Sequence, residues 1–223
     1  MSQSVGDIKL VVFDWDGTLA DSLGRIVDCL QLAARQLQLP EPSVAAARDI
    51  VGLSLVVAVK RLWPGIDDQL GEQLIASYSH HYAVHSVGPC PFYAGAEQML
   101  AALHGAGLTL AVATGKRRAG LDESLHGLAA GHWFAASRCA DETASKPNPL
   151  MLQQLLAELA VSPQQAVMVG DSEYDMQMAQ AAGVHRLAVS FGAHSAERLQ
   201  RYAPIGCVDH LLELPALLGV ERS

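Results

Sequence analysis

The sequence predicts an α/β fold: a parallel sheet with helices on both faces and an inserted all-helical domain. Three observations carry that prediction. Short apolar runs without polar alternation recur at Leu10-Val11-Val12-Phe13, Leu108-Thr109-Leu110-Ala111-Val112-Ala113 and Ala166-Val167-Met168-Val169, the pattern of strands buried on both faces. From the second run onward, helical-period segments alternate with such runs, which implies parallel strands joined by crossover helices. Between the first and second runs, however, residues 20–87 carry helix signals and no strand. That block is out of pattern for an α/β chain and reads as an insert, leaving residues 1–19 and 88–223 as the core.

The elements follow in order. After the first strand come Asp14-Trp15-Asp16-Gly17-Thr18, where Gly17 allows a sharp turn. Asp21-Ser22 has the chemistry of a helix N-cap, and Leu23, Ile26, Val27, Leu30, Ala34 and Leu37 then recur at helical spacing. Leu39-Pro40-Glu41-Pro42 ends that helix. Further helices are expected over 44–51, 54–62 and 67–85, with Pro64-Gly65 between the last two. Residues 87–95, rich in Pro and Gly, form the return linker. A helix over 96–106 is stopped by Gly107. The strand after it closes with Thr114-Gly115-Lys116. A helix over 118–128, a short strand over 134–137 and a helix opened by Pro149 and running to 159 follow. The third apolar run closes with Gly170-Asp171-Ser172, and a helix over 175–182 stopped by Gly183 leads to a strand over 184–189.

Composition narrows the function classes. The chain has 223 residues, 50% hydrophobic and 17% charged, as suits one large domain or a domain with an insert. A formal net charge of −8 argues against nucleic acid and anionic membrane as partners. Met1-Ser2-Gln3-Ser4-Val5-Gly6 has no leader pattern, and no apolar stretch is long enough to span a bilayer. Cys29, Cys90, Cys139 and Cys207 are far apart with no Cys-x-x-Cys pair, so free thiols in a reducing, cytoplasmic setting are expected. Oligomeric state is not encoded in any pattern found.

Ligands of open parallel sheets sit at the carboxyl ends of the strands. Asp14, Asp16, Thr114 and Asp171 all fall there. Asp14, Asp16, Asp171 and Asp175 would put four carboxylates in one cleft, untenable without a divalent cation and a fixed positive charge. Hard oxygen ligands favour Mg²⁺, which takes few protein carboxylates and leaves room for a substrate phosphate. Lys146, in Ser145-Lys146-Pro147-Asn148-Pro149, supplies the ammonium. Thr114 offers a hydroxyl and an N–H to a phosphate oxygen, and Gly115 is expected to let substrate come close.

In order and spacing, Asp14-Trp15-Asp16-Gly17-Thr18, Thr114, Lys146 and Gly170-Asp171-Ser172-Glu173-Tyr174-Asp175 resemble the motifs of the haloacid dehalogenase superfamily, in its phosphatase branch with a helical cap. Val51-Gly52-Leu53-Ser54, Tyr93-Ala94-Gly95 and the 176–183 stretch look like its phosphoglycolate-phosphatase-like subgroup. Trp15 and Ala94 depart from the subgroup's more usual leucine and proline, and neither change touches a chemical group. The resemblance implies a Rossmann-like core and a Mg²⁺-dependent hydrolysis of a small phosphorylated metabolite. It also implies Asp14 as nucleophile and metal ligand, with Asp171 and the Asp16 carbonyl completing the protein's ligands. Asp16 then protonates the leaving alkoxide and later takes a proton from water. Thr114, Gly115 and Lys146 bind the phosphoryl group and Asp175 supports the site. Other phosphoryl transfers on the same core (5′-nucleotidase, pyrophosphatase or phosphoglucomutase-like), a phosphonatase, a dehalogenase and a catalytically silent binding module remain as alternatives.

Some features take plainer readings. His80, His81 and His85 read as a solvated or partly packed helix face. Lys116-Arg117-Arg118 reads as a solvated basic run. Met176 and Met178 read as packing residues. Val51-Gly52-Leu53-Ser54 is the expected approach loop to the site, with Lys60 or Arg61 as candidate partners for the leaving group.

Overall fold

The computed structural model describes residues 7–84 and 88–220. The expectations placed on Met1–Gly6, on His85 and on the boundary at residue 87 lie outside them. In chain order the elements are β1 (Leu10–Phe13), α1 (Leu23–Gln36), α2 (Val44–Asp49), α3 (Leu55–Leu62), α4 (Asp68–Val84), α5 (Ala96–Gly105) and β2 (Thr109–Thr114). There follow α6 (Arg118–Gly127), β3 (Ala136–Cys139), α7 (Leu150–Glu158), β4 (Ala166–Gly170), α8 (Glu173–Ala182), β5 (His185–Val189), α9 (Ala196–Gln200), β6 (Gly206–Val208) and α10 (Leu214–Leu217). The strands form one six-stranded sheet, ordered β3-β2-β1-β4-β5-β6. Every pairing is parallel.

β1 is central and fully buried, which explains its unbroken apolar run. Its side chains alternate between two cores, as the period of two requires. Val11 and Phe13 pack with Met99, Leu100 and Leu103 of α5 and Leu121 of α6. Leu10 and Val12 pack with Met151, Leu152 and Leu155 of α7 and Met178 and Ala179 of α8. Each such buried side chain contributes about 1.5–3 kcal/mol, so the strand ends that carry the chemistry stand on the best-packed part of the molecule. β1 pairs with β2 and β4 at matched register, Phe13 opposite both Val112 and Val169. The segments after these three strands therefore emerge side by side.

The four helices α1–α4 build their own apolar cluster from Leu23, Ile26, Val27, Leu30, Ile50, Leu53 and Ala58. Tyr174 of α8 joins that cluster and its hydroxyl donates to the Asp49 carbonyl at 2.7 Å, tying the helical block to the sheet side. Asp49 also pairs with Arg198, while Arg48 donates to the Gly192 carbonyl at 2.6 Å. The chain leaves for the block and returns from it side by side: Ala20 bridges Phe92 in antiparallel sense.

Several local expectations are corrected. Ser22 stands at the N-cap of α1 but makes no side-chain cap; its hydroxyl serves Asp16 instead. β3 begins two residues later than expected. α8 begins at Glu173, because Ser172 and Asp175 form a capping box that starts the helix early. The elements after β5 were not foreseen at all. Cys29, Cys90 and Cys139 are buried free thiols as expected, and Cys207 is a free thiol only partly covered.

Candidate active site

Three neighbouring strand ends converge. β1 delivers Asp14, β4 delivers Asp171, and the first turn of α8 brings Asp175 beside them. One carboxylate oxygen from each lies within 4.8 Å of the others, the one such acidic group among the described residues. All three are at most 1% exposed. The loop after β3 inserts Lys146, whose Nζ lies 2.7 Å from Asp14 Oδ1 and 2.7 Å from Asp175 Oδ1.

Together with Lys146, further donors hold all of these carboxylate oxygens but one. The Trp15 N–H donates to Asp14 Oδ1 at 2.6 Å. Thr18 Oγ1 donates to Asp171 Oδ1 at 3.0 Å and the Ala193 N–H to Asp171 Oδ2 at 2.6 Å. Ser172 donates its N–H and its hydroxyl to Asp175 Oδ2 at 3.1 and 2.6 Å. Asp14 Oδ2 is buried with no hydrogen-bond partner. Gly17 and Gly192 are required here. A Cβ on Gly17, at φ +81, would stand 2.2 Å from Asp171 Oδ2, and one on Gly192 2.1 Å from Asp171 Cβ.

Electrostatics follow from this crowding. Burial, reinforced by Asp175 and Asp171, holds the Asp14 carboxyl well above the usual carboxylate range despite Lys146. Burial and then Asp175 push Asp171 up to about 7, against the Ala193 N–H, Thr18 and Lys146. Burial works against the charge on Lys146, but Asp14 and Asp175 outweigh it and raise its pKa, so it remains an ammonium. One fixed cation thus faces three buried carboxylates. An unpartnered buried carboxylate oxygen in an all-oxygen donor set fits a hard divalent cation, whose charge would restore ionisation of the group.

Asp16 faces another way. Its carboxylate lies outside the acidic group and lines a cavity of about 610 Å³ under the helical block, together with Asp14. The Ser22 hydroxyl donates to Asp16 Oδ1 at 2.6 Å, and Lys116 Nζ lies 3.1 Å from the same oxygen. Lys116 also donates to the Tyr82 hydroxyl at 3.3 Å and sits 4.7 Å from that ring's centroid. The solvated reading of Lys116 is therefore overturned: its side chain is 11% exposed and joins Asp16 to helix α4. Arg118 in the same run pairs with Glu142 and Asp122. Thr114 is fully buried at the end of β2, its hydroxyl accepting the Lys116 N–H at 3.1 Å.

Gly115 lines the cavity and also makes room for the helical block: a Cβ there would meet the carbonyl oxygens of Leu53 and Gly52 at 2.5 and 2.7 Å. The 51–54 loop does reach the site, and the Ser54 N–H donates to Ser145 Oγ at 2.9 Å beside Lys146. Lys60 and Arg61 do not line the cavity. Lys60 pairs with Asp68 in solvent, and Arg61 pairs with Asp49 and covers the Tyr174 ring. The cations that do line the cavity are Arg25, Lys116 and Arg117. Ser22, Thr18 and Lys116 were not assigned to the site from the sequence. Their adjacency to Asp16 and Thr114 was the available signal. His80 is exposed; His81 Nε2–H donates to Gln36 Oε1 at 2.8 Å, which joins α4 to α1.

A model of the haloacid dehalogenase-like hydrolase family matches residues 11–189. A phosphoglycolate phosphatase of Aliivibrio fischeri is 32% identical over 224 residues, covering 97% of this chain and 99% of its own. A phosphoglycolate phosphatase of Rhodospirillum rubrum is 32% identical over 220 residues, covering 95% and 91%. A solved haloacid dehalogenase-like family protein from Streptococcus pneumoniae superposes with a TM-score of 0.82 at 22% identity, over 94% of this chain and 98% of that one, which is a likeness of fold.

Proposed function

The chain belongs to the haloacid dehalogenase-like hydrolase family and is an enzyme of its phosphatase branch; from that premise we propose how it works. It hydrolyses a small phosphorylated metabolite with Mg²⁺ through an aspartyl-phosphate on Asp14. The observation that carries the reading is the buried Asp14 carboxylate, with one oxygen fixed by Trp15 and Lys146 and the other without a partner. Asp14 and Asp171 offer the carboxylates to the metal, with the Asp16 carbonyl as a further donor, and Asp175, held by Ser172 and Lys146, supports them. When bound, Mg²⁺ neutralises the acidic cluster and the charge of the phosphoryl group.

The chain's own residues supply the rest. An Asp14 oxygen attacks phosphorus, forming the acyl phosphate as the ester P–O bond breaks. Asp16, steadied by Ser22 and Lys116, gives its proton to the leaving alkoxide. It then takes a proton from the water that attacks the acyl phosphate, releasing phosphate and free Asp14. Lys146 holds Asp14 and Asp175 apart from one another's charge and faces the transferring group. Thr114 and Gly115 meet its oxygens with the backbone N–H groups at the end of β2. The inserted helical block acts as a cap over the remainder of the ester. The buried free thiols support a cytoplasmic setting, and no described helix is long and apolar enough to cross a membrane. Phosphate release from a panel of phosphorylated metabolites, with Mg²⁺ and then with excess EDTA, tests the reading. Release must depend on the metal; release unaffected by rigorous chelation refutes it.

A further inference from the structure

Arg48 and Asp49 end helix α2 and meet the loop that follows β5. Arg48 donates to the Gly192 carbonyl at 2.6 Å, and among the described residues its side chain makes no other hydrogen bond and no ion pair. The other end of the same peptide unit is the Ala193 N–H, which donates to Asp171 Oδ2 at 2.6 Å. A trans peptide is planar, with its C=O and N–H pointing opposite ways. The guanidinium of the helical block and the carboxylate at the end of β4 are therefore the two partners of one rigid group. A charged donor on the carbonyl polarises the peptide and strengthens the N–H offered on the other side.

Neighbouring contacts repeat the arrangement. The His194 N–H donates to the Asp171 carbonyl at 3.2 Å, and its ring lies between the Glu173 N–H at 3.0 Å and the Asp49 carbonyl at 3.2 Å. Residues 192–194 are thus gripped by two consecutive residues of the helical block while they hold Asp171. Further along, a Cβ on Gly52 would stand 2.9 Å from Ser172 Oγ, the hydroxyl that donates to Asp175. The Ser54 N–H reaches Ser145, next to Lys146. One segment of the insert, residues 48–54, backs onto the groups behind Asp171, Asp175 and Lys146.

We propose that Arg48 is a positioning residue for the metal ligand Asp171, acting through the Gly192–Ala193 peptide, so that the seating of the helical block sets the affinity of the site for Mg²⁺. This rests on the reading of Asp171 as a metal ligand and adds a residue of the insert to the groups that orient it. Thr18 fixes one oxygen of that carboxylate from the core, and Arg48 governs the donor to the other. Groups behind a ligand orient it and raise its affinity for the metal.

The rise of melting temperature with Mg²⁺ concentration gives the Kd of the full chain without reference to turnover. Arg48→Met should raise that Kd by about tenfold or more, the usual loss when the group behind a ligand is removed. Arg35→Met, which breaks an exposed pair with Glu41 in the same helical block, is the control and should leave the Kd unchanged. Arg48→Gln, read by the same criterion, serves if Arg48→Met does not fold, as judged by its melting temperature in EDTA. A Kd unmoved in a folded Arg48 variant, or raised as much by Arg35→Met, overturns the proposal and leaves the metal reading standing. A wild type whose melting temperature ignores Mg²⁺, or Asp171→Asn protein that binds it as tightly as the wild type, overturns both.

Discussion

Replacing Lys146 by methionine removes the ammonium and keeps most of the side chain's volume. The three carboxylates it faces are buried, and two of them lie 2.7 Å from its Nζ. Breaking a buried ion pair from one side costs about 3–5 kcal/mol. Proton uptake limits the loss. Keeping one of these carboxyls protonated at pH 7, against an ordinary value of 3.8, costs about 4 kcal/mol at 1.36 kcal/mol per unit. The two figures agree. At pH 5 the same cost falls to about 2 kcal/mol. The variant's native state then binds more protons than the wild type's, so its stability declines with rising pH between about 4 and 7 relative to the wild type. Urea unfolding in EDTA at pH 5 and pH 7 measures both differences. Phosphate release with Mg²⁺ should fall by about 10²–10³ in kcat, the usual cost of losing one electrostatic stabiliser. A variant as stable as the wild type at both pH values, with wild-type turnover, would return Lys146 to a passive role.

Mg²⁺ should raise the melting temperature of the wild type, by the equivalent of about 2.7 kcal/mol at a hundred times Kd. Asp171→Asn should erase most of that shift in calorimetry, and an undiminished shift would place the metal elsewhere. Gly115→Ala drives a methyl into the Leu53 and Gly52 carbonyls, backbone atoms with no room to swing away. A loop displaced by about 1 Å should lower kcat/KM by up to 10²; unchanged kinetics would mean the 51–54 loop does not order the site. The Glu173 N–H donates to His194 Nδ1, so the neutral ring carries its hydrogen on Nε2, facing the Asp49 carbonyl. Burial, aided by Arg198, lowers the His194 pKa. Its contribution is therefore present above the ordinary histidine range and is lost as pH falls through the lowered value. The stability gap between wild type and His194→Gln, read from urea midpoints from pH 7.5 to 5, should close as pH falls; a gap that widens would contradict this.

Legibility tracked physical cause. The buried strands β1, β2 and β4 were readable because burial on both faces leaves no polar residue in the run, and their ends named Asp14, Thr114 and Asp171. β6 and α9, three and five residues long, carry too short a pattern to stand out. Ser22 had the chemistry of a cap, and only the three-dimensional turn at Gly17 decides that its hydroxyl reaches Asp16. Lys116 was indistinguishable from a surface lysine until helix α4, far away in sequence, laid Tyr82 beside it. Gly115 was recognised as a place of close approach, but whether substrate or loop comes close depends on how the helical block is seated. Lys60 and Arg61 were drawn toward the substrate by charge alone, while Asp49 and Asp68 hold them at the surface.

The claim on which the rest depends is that Asp14 carries the phosphoryl group. Acid quenching during turnover with Mg²⁺, followed by peptide mass mapping, reads this directly. The expected result is one added phosphoryl group on the peptide containing Asp14, lost on alkaline hydroxylamine treatment and missing from Asp14→Asn, which should turn over no substrate. A phosphoryl group on any other residue, or sustained turnover by folded Asp14→Asn protein, would contradict it.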